Sequence, residues 1–123
     1  MSGIDDGSIA DDWSLLRRIH PGQIVPDGNN GGVRVSSAAF RDPQMSVDVE
    51  ELLSAAGKTW KASLEDFPLH SLMRLLAGVP RSHQQAVVHT PLPDNNAHAE
   101  VQGHKSGATA RALSAAATWV HRL

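Results

Sequence analysis

The stretch HTPLPDNNAHAEVQGHK, residues 89–105, decides the fold that this sequence predicts. Its two prolines and its Asp-Asn-Asn run are typical of a loop, whereas residues 85–89 and 97–101 on either side have the pattern of strands. Gly103 and Ser106 then mark the start of a helix. The sequence therefore predicts two neighbouring strands followed by a helix.

The C-terminal segment has the clearest helical pattern of the chain. Ser106 can cap this helix, and the apolar side chains after it recur at helical spacing: Ala110, Leu113, Ala117 and Val120. Alanine favours the helix intrinsically and permits close packing on a sheet. We therefore predict an Ala-rich C-terminal helix.

Two apolar segments fit either a helix or a strand. Residues 13–19 alternate like a strand but also repeat at helical spacing, and residues 69–76 are apolar without a clear period. We favour a strand for residues 13–19, because residues 23–26 also have an extended pattern. The Gly- and Asn-rich run 27–32 predicts a turn, and residues 33–40 alternate as in a strand.

Met45–Val47 is predicted to be a short strand that runs into a helix. Asp48 can cap that helix, acidic residues 50 and 51 suit its first turn, and Gly57 can end it. Together the segments predict a single α+β domain over residues 13–123, with a mixed β-sheet packed by helices. Residues 1–12 are predicted to form a disordered acidic tail, because their Gly, Ser and Asp have little apolar surface to bury.

Composition narrows the classes of function. The chain of 123 residues contains no cysteine, which excludes disulfides and thiolate chemistry. Its net charge of −2 disfavours nucleic acid as a partner. No apolar run is long enough for a membrane span, and the N-terminal residues lack the pattern of a signal peptide. We therefore expect a cytoplasmic protein that does not contact membranes.

The first group of candidate site residues lies on the second predicted strand. His98 and Glu100 project from the same face, because side chains alternate along a strand. A hairpin would bring His89 within reach, and these three ligands with a water molecule would suit zinc. We prefer the interpretation without a metal, in which Glu100 is a solvated surface carboxylate and His98 is a histidine at the edge of the loop that hydrogen-bonds the backbone. Metal binding through His98 and Glu100 is kept as an alternative.

The second group follows the glycine-rich turn. Arg34, Ser36 and Ser37 offer a guanidinium and hydroxyls that suit an anion. Lys105, just before the last helix, can assist an anion at the helix N-terminus. We predict a polar cleft between the strand containing Arg34 and the strand containing Glu100.

Two parts of the chain resemble a family of small uncharacterised bacterial proteins. RIHPGQIVPD at residues 18–27, with RVSSAAF at 34–40 and MSV at 45–47, is similar to the first half of that family. PLPDNNAHAEVQGHK at residues 91–105 is similar to the second half. Val35 replaces an expected proline, and His89 replaces the family's Asp or Arg. The resemblance implies a bacterial origin and no particular activity.

The order of polar residues also resembles that of ADP-ribosyltransferase-like folds. Those folds hold NAD with an Arg or His on one strand, a Ser on a second and a Glu on a later one. The resemblance implies those parts for Arg18, for Ser36 or Ser37, and for Glu100, with NAD as the cofactor.

The preferred function is a binding or interaction module whose partner is another protein or a small anionic ligand. Its ligand-binding residues would be Arg18, Arg34, Ser36, His98 and Lys105. The first alternative is an NAD- or nucleotide-directed transferase with Glu100 and Ser37 as the catalytic residues. The second is metal binding through His98 and Glu100.

Overall fold

The structure, a computed structural model, describes residues 4–123. Residues 4–123 form eight strands and three α-helices in this order: β1 (Ser14–Ile19), β2 (Ile24–Pro26), β3 (Val33–Val35), β4 (Gln44–Val49), α1 (Glu50–Ala55), β5 (Ser71–Leu76), α2 (Gly78–Ser82), β6 (Ala86–His89), β7 (His98–Gln102), α3 (Gly107–Ala116) and β8 (Thr118–His121). Short 3-10 helices lie at Pro21–Gln23, Ser37–Phe40 and Trp60–Leu64.

Six of the strands form one sheet in the order β6-β7-β4-β1-β5-β8, and every pair in it is antiparallel. The strands β2 and β3 form a separate hairpin across the predicted 27–32 turn. The α+β class is therefore confirmed. The ambiguous segments 13–19 and 69–76 are both strands, which pair with each other through six residue pairs as β1 and β5.

The sheet is covered on two sides, which we name by the helices that pack there. The α3 face carries the larger apolar core, which includes Leu15, Met45, Val101 and Leu113. The α1 face, built from the alternate strand positions, carries a smaller cluster: Leu16, Leu53, Leu72 and Ala97. Adjacent leucines in β1 are both buried because this central strand has a covered face on each side.

The C-terminal helix is confirmed but is shorter than the apolar spacing predicts. Its cap is Ser106, whose Oγ accepts a hydrogen bond from Thr109 N, and Ala110 and Leu113 are buried. The helix ends at residue 116, and Val120 lies on β8 instead. Thr118, Trp119 and Val120 favour a strand, and pairing with β5 outweighs the helical spacing.

Two other local predictions were wrong. The strand over residues 33–40 ends at Val35, because the Ser36 side chain accepts a hydrogen bond from Ala38 N and starts a 3-10 helix. Asp48 does not cap α1; it is the fifth residue of β4, and Val49 occupies the cap without a side-chain hydrogen bond.

The N-terminal segment differs from the expected disordered tail. Residues 1–3 lie outside the described part, but Ile9 is buried in the α3-face core. Asp6 N donates to Val87 O at 2.8 Å, and the Asp5 carboxylate accepts from Val87 N at 2.8 Å. Arg81 donates to Asp5 and Asp11. The segment therefore satisfies backbone groups along the edge strand β6, which an open edge would leave unpaired.

A pair of isoleucines tests this packing. Replacing Ile9 with Ala should lower the free energy of unfolding by about 2–4 kcal/mol, because it leaves a cavity in the core. The matched change Ile4→Ala should have an effect within about 0.5 kcal/mol, since that side chain is 92% exposed. Urea denaturation of both variants measures the difference. Equal, small effects would contradict the packing of residues 5–11.

Candidate functional site

A cavity of about 270 Å³ opens on the α1 face of the sheet. Its floor is formed by side chains of three adjacent strands: Arg18 of β1, Asp48 of β4 and His98 of β7. The segment 58–67 and the turn at residues 92–95 form its walls. Three neighbouring strands thus present polar groups to one cavity, because Arg18, Asp48 and His98 all project from the same face of the sheet.

Asp48 is the most buried polar residue of the floor, with 3% of its surface exposed. One carboxylate oxygen accepts a hydrogen bond from Ser63 Oγ at 2.6 Å, and the other accepts from Asn95 Nδ2 at 2.9 Å. Arg18 Nη1 lies 3.8 Å from the carboxylate oxygen that Ser63 contacts. A carboxylate removed from water requires such partners, so Asp48 ties the two walls to the sheet.

Arg18 is held in place from two sides. Its Nη1 donates to Ser63 O at 3.4 Å, and its guanidinium carbon lies 4.0 Å from the centre of the Phe67 ring. This cation–π contact holds the guanidinium over the ring without using its N–H donors. Nε and Nη2 of Arg18 form no hydrogen bond with residues 4–123. They are available to a ligand in the cavity.

A second aromatic contact extends from Phe67. The ring of His70 meets Phe67 edge-on at 5.2 Å, and the ring of His20 meets His70 at 5.4 Å. Burial, reinforced by the charges of His20 and Arg18, lowers the pKa of His70 from its ordinary value. The neutral form of the imidazole is therefore favoured beside the guanidinium.

The Pro-rich loop supplies Asn95 through a tight turn. Asn95 N donates to Leu92 O at 3.1 Å and Leu92 N donates to Asn95 O at 3.0 Å, with Pro93 and Asp94 at the corner. Pro at the second position of a turn and Asp at the third are typical, because both suit its backbone angles. The turn directs the Asn95 side chain to Asp48.

His98 lies directly opposite Asp48 in the β4–β7 pairing. Its Nδ1 is 2.8 Å from Thr90 O and 2.9 Å from Thr90 Oγ1. A carbonyl oxygen can only accept, so Nδ1 carries a hydrogen and the neutral ring has its lone pair on Nε2. That nitrogen has no partner within residues 4–123 and can accept a hydrogen bond or a proton from a ligand.

The rim of the cavity is exposed and mainly acidic. It carries the cation Lys58 and three carboxylates, those of Glu65, Asp66 and Asp94. Within the described part of the chain, these side chains form no ion pair. Apolar side chains complete the lining: Leu53, Ala62, Phe67 and Leu92.

Glu100 shares a face with His98, as the alternation predicts, but lies outside the cavity lining. It pairs with Ser46 across β4 and with Val88 across β6, and its carboxylate accepts from Gln102 Nε2 at 2.8 Å. The polar surface around Glu100 lies beside the cavity and not within it.

The predicted cleft between the Arg34 strand and the Glu100 strand is not formed. The strand of Arg34 belongs to the separate hairpin, and the guanidinium donates to Val35 O. Ser36 and Ser37 begin the 3-10 helix whose Ala39 and Phe40 are buried in the α3-face core. The two serines are therefore on the other side of the sheet from Arg18 and Glu100, which also separates the residues of the NAD-binding hypothesis.

The three-ligand metal hypothesis fails for a related reason. His89 pairs with Ala99 and so projects to the α3 face, whereas His98 projects to the α1 face. His89 Nε2 lies 2.6 Å from Asn96 O and donates to it. Among residues 4–123, no group of three or more His, Asp or Glu side chains is arranged to hold a metal ion.

Lys105 is not available at the helix N-terminus, because it is only 3% exposed. Its Nζ donates to Val101 O at 2.8 Å and to Gly103 O at 3.3 Å. Burial lowers the pKa of Lys105 to about 8. The lysine is a buried structural cation rather than an anion ligand.

Two residues of the cavity floor, Arg18 and His98, were among the candidates that the sequence analysis named. Asp48, Ser63 and Asn95 were not among them. The available signal for Asp48 was strand alternation: Met45, Val47 and Val49 share the α3 face, so Asp48 must project to the other. No local signal connects Ser63 or Asn95 to it.

Comparison with protein-family models, with curated proteins and with solved structures finds no match to this chain. The resemblance to small bacterial proteins therefore stays a prediction. None of the helices within residues 4–123 has the length and apolar character that a membrane span requires.

Lys105 gives a prediction about pH. Its folded pKa of about 8 lies below the ordinary 10.5, so between these values the unfolded chain binds a proton that the native protein has lost. Stability from this group must rise with pH across that window. Relative to Lys105→Met, the wild-type free energy of unfolding should increase by about 2 kcal/mol between about pH 7 and about pH 10. Parallel pH profiles in urea denaturation would contradict the buried cation.

Proposed function

We propose that this protein is a binding module for a small polar molecule, which it holds in the cavity on the α1 face. The observation that carries the proposal is the pairing of a fixed donor with a fixed acceptor. Arg18 is held by Phe67 and Ser63 but keeps free donors, while His98 is held by Thr90 and keeps a free acceptor. Fixed polar groups in a partly apolar cavity are what orient a bound molecule.

The size of the cavity limits the ligand. Its volume of about 270 Å³ is near the lower end of the roughly 300–1,000 Å³ of drug-sized ligand pockets. A molecule of the size of an amino acid or a small carboxylic acid suits this space. A dinucleotide such as NAD is far larger, which disfavours the transferase alternative.

The test is a titration of ¹⁵N-labelled protein with pools of amino acids, carboxylic acids, amines and sugars, with NAD and Zn²⁺ as separate additions. We expect at least one small compound to shift the amide resonances of residues 63, 95 and 98. NAD and Zn²⁺ should leave these resonances unchanged.

Two variants locate the binding. His98→Ala should raise the Kd of the bound compound at least tenfold, because it removes the Nε2 acceptor from the floor. Glu100→Gln is the matched control: it changes the same face of the same strand outside the cavity and should leave the Kd unchanged. Absence of any shift at the cavity, or equal effects of both variants, would overturn the proposal.

A further inference from the structure

We infer that the ligand is a small zwitterion, with its anionic group at Arg18 and its cationic group at the acidic rim. The inference rests on the proposed function and adds the chemical class of the ligand. It depends on how the two signs of charge are distributed between the floor and the rim.

The floor can bind an anionic group although the positive charge of Arg18 is matched there by the negative charge of Asp48. Arg18 has unused donors on Nε and Nη2, and these suit a carboxylate because the guanidinium edge offers two parallel N–H groups. The Asp48 oxygens already accept from Ser63 and Asn95. Asp48 therefore offsets the charge of Arg18 without occupying the Nε and Nη2 donors.

The rim provides for a cation. On the rim, the three carboxylates of Glu65, Asp66 and Asp94 outnumber the single cation Lys58, and no ion pair within residues 4–123 neutralises them. His98 Nε2 adds an acceptor below them. A purely anionic ligand would meet the repulsion of the rim, and a purely cationic one would leave the unused donors of Arg18 without an acceptor.

A series of probes with the same four-carbon chain separates charge from size. The probes are 4-aminobutanoate, succinate, 1,4-diaminobutane and 1,4-butanediol, each titrated into ¹⁵N-labelled full-length protein at low ionic strength. We expect 4-aminobutanoate to bind at least tenfold more tightly than the other three and to shift the resonances of residues 63, 95 and 98.

Exposed rim positions supply variants that leave the fold intact. The double variant Asp66→Asn, Asp94→Asn should raise the Kd of 4-aminobutanoate at least threefold and that of succinate by a smaller factor. Asp12→Asn removes another exposed carboxylate, which does not line the cavity, and should change neither Kd by a measurable factor.

The outcomes separate the ligand class from the proposed function. Tightest binding of succinate, of the diamine or of the diol at these resonances would overturn the zwitterion and leave the binding module standing. An unchanged Kd in the rim variant would also overturn it. If none of the four probes binds, the zwitterion is overturned as well, and the broader compound pools then decide the function.

Discussion

Burial of the Asp48 carboxylate is the constraint on which the α1 face of this protein depends. A charged group in the middle of a six-stranded sheet is stable only if its lost hydration is replaced by hydrogen bonds and an opposite charge. Ser63, Asn95 and Arg18 provide that replacement. Because they come from the segment after α1, from the Pro-rich turn and from β1, one carboxylate fixes three separate parts of the chain around a cavity.

The two covered faces divide the polar residues between different environments. Side-chain alternation directs Arg18, Asp48 and His98 to one face and sends His89 to the other. Ser36 and Ser37 belong to the element that packs against the α3-face core. Residues that are close in the sequence are thus separated by the thickness of the sheet, while residues 80 positions apart meet in one cavity.

Local patterns predicted most of the elements and only part of the site. The strand–loop–strand unit around residues 89–105, the cap of α3 and the hairpin at residues 27–32 follow from short-range chemistry, and the sequence specifies them. Asp48, which precedes two glutamates, has the local pattern of a helix cap. It becomes a buried residue in the middle of the sheet only because β4 lies between β7 and β1. That order depends on long-range packing, as do the contacts of Asp48 with Ser63 and Asn95. His98 was found because its turn and strand are both local features.

The most direct test is a double-mutant cycle between Asp48→Asn and Ser63→Ala, followed by urea denaturation. The central claim is that the carboxylate organises the cavity through its hydrogen-bond partners. Asp48→Asn should lower the free energy of unfolding by about 2–4 kcal/mol, because it leaves Arg18 without its counter-charge and sets an amide against two donors. The two changes should be coupled by about 1 kcal/mol or more. Additive effects, with Asp48→Asn close to neutral, would contradict the account.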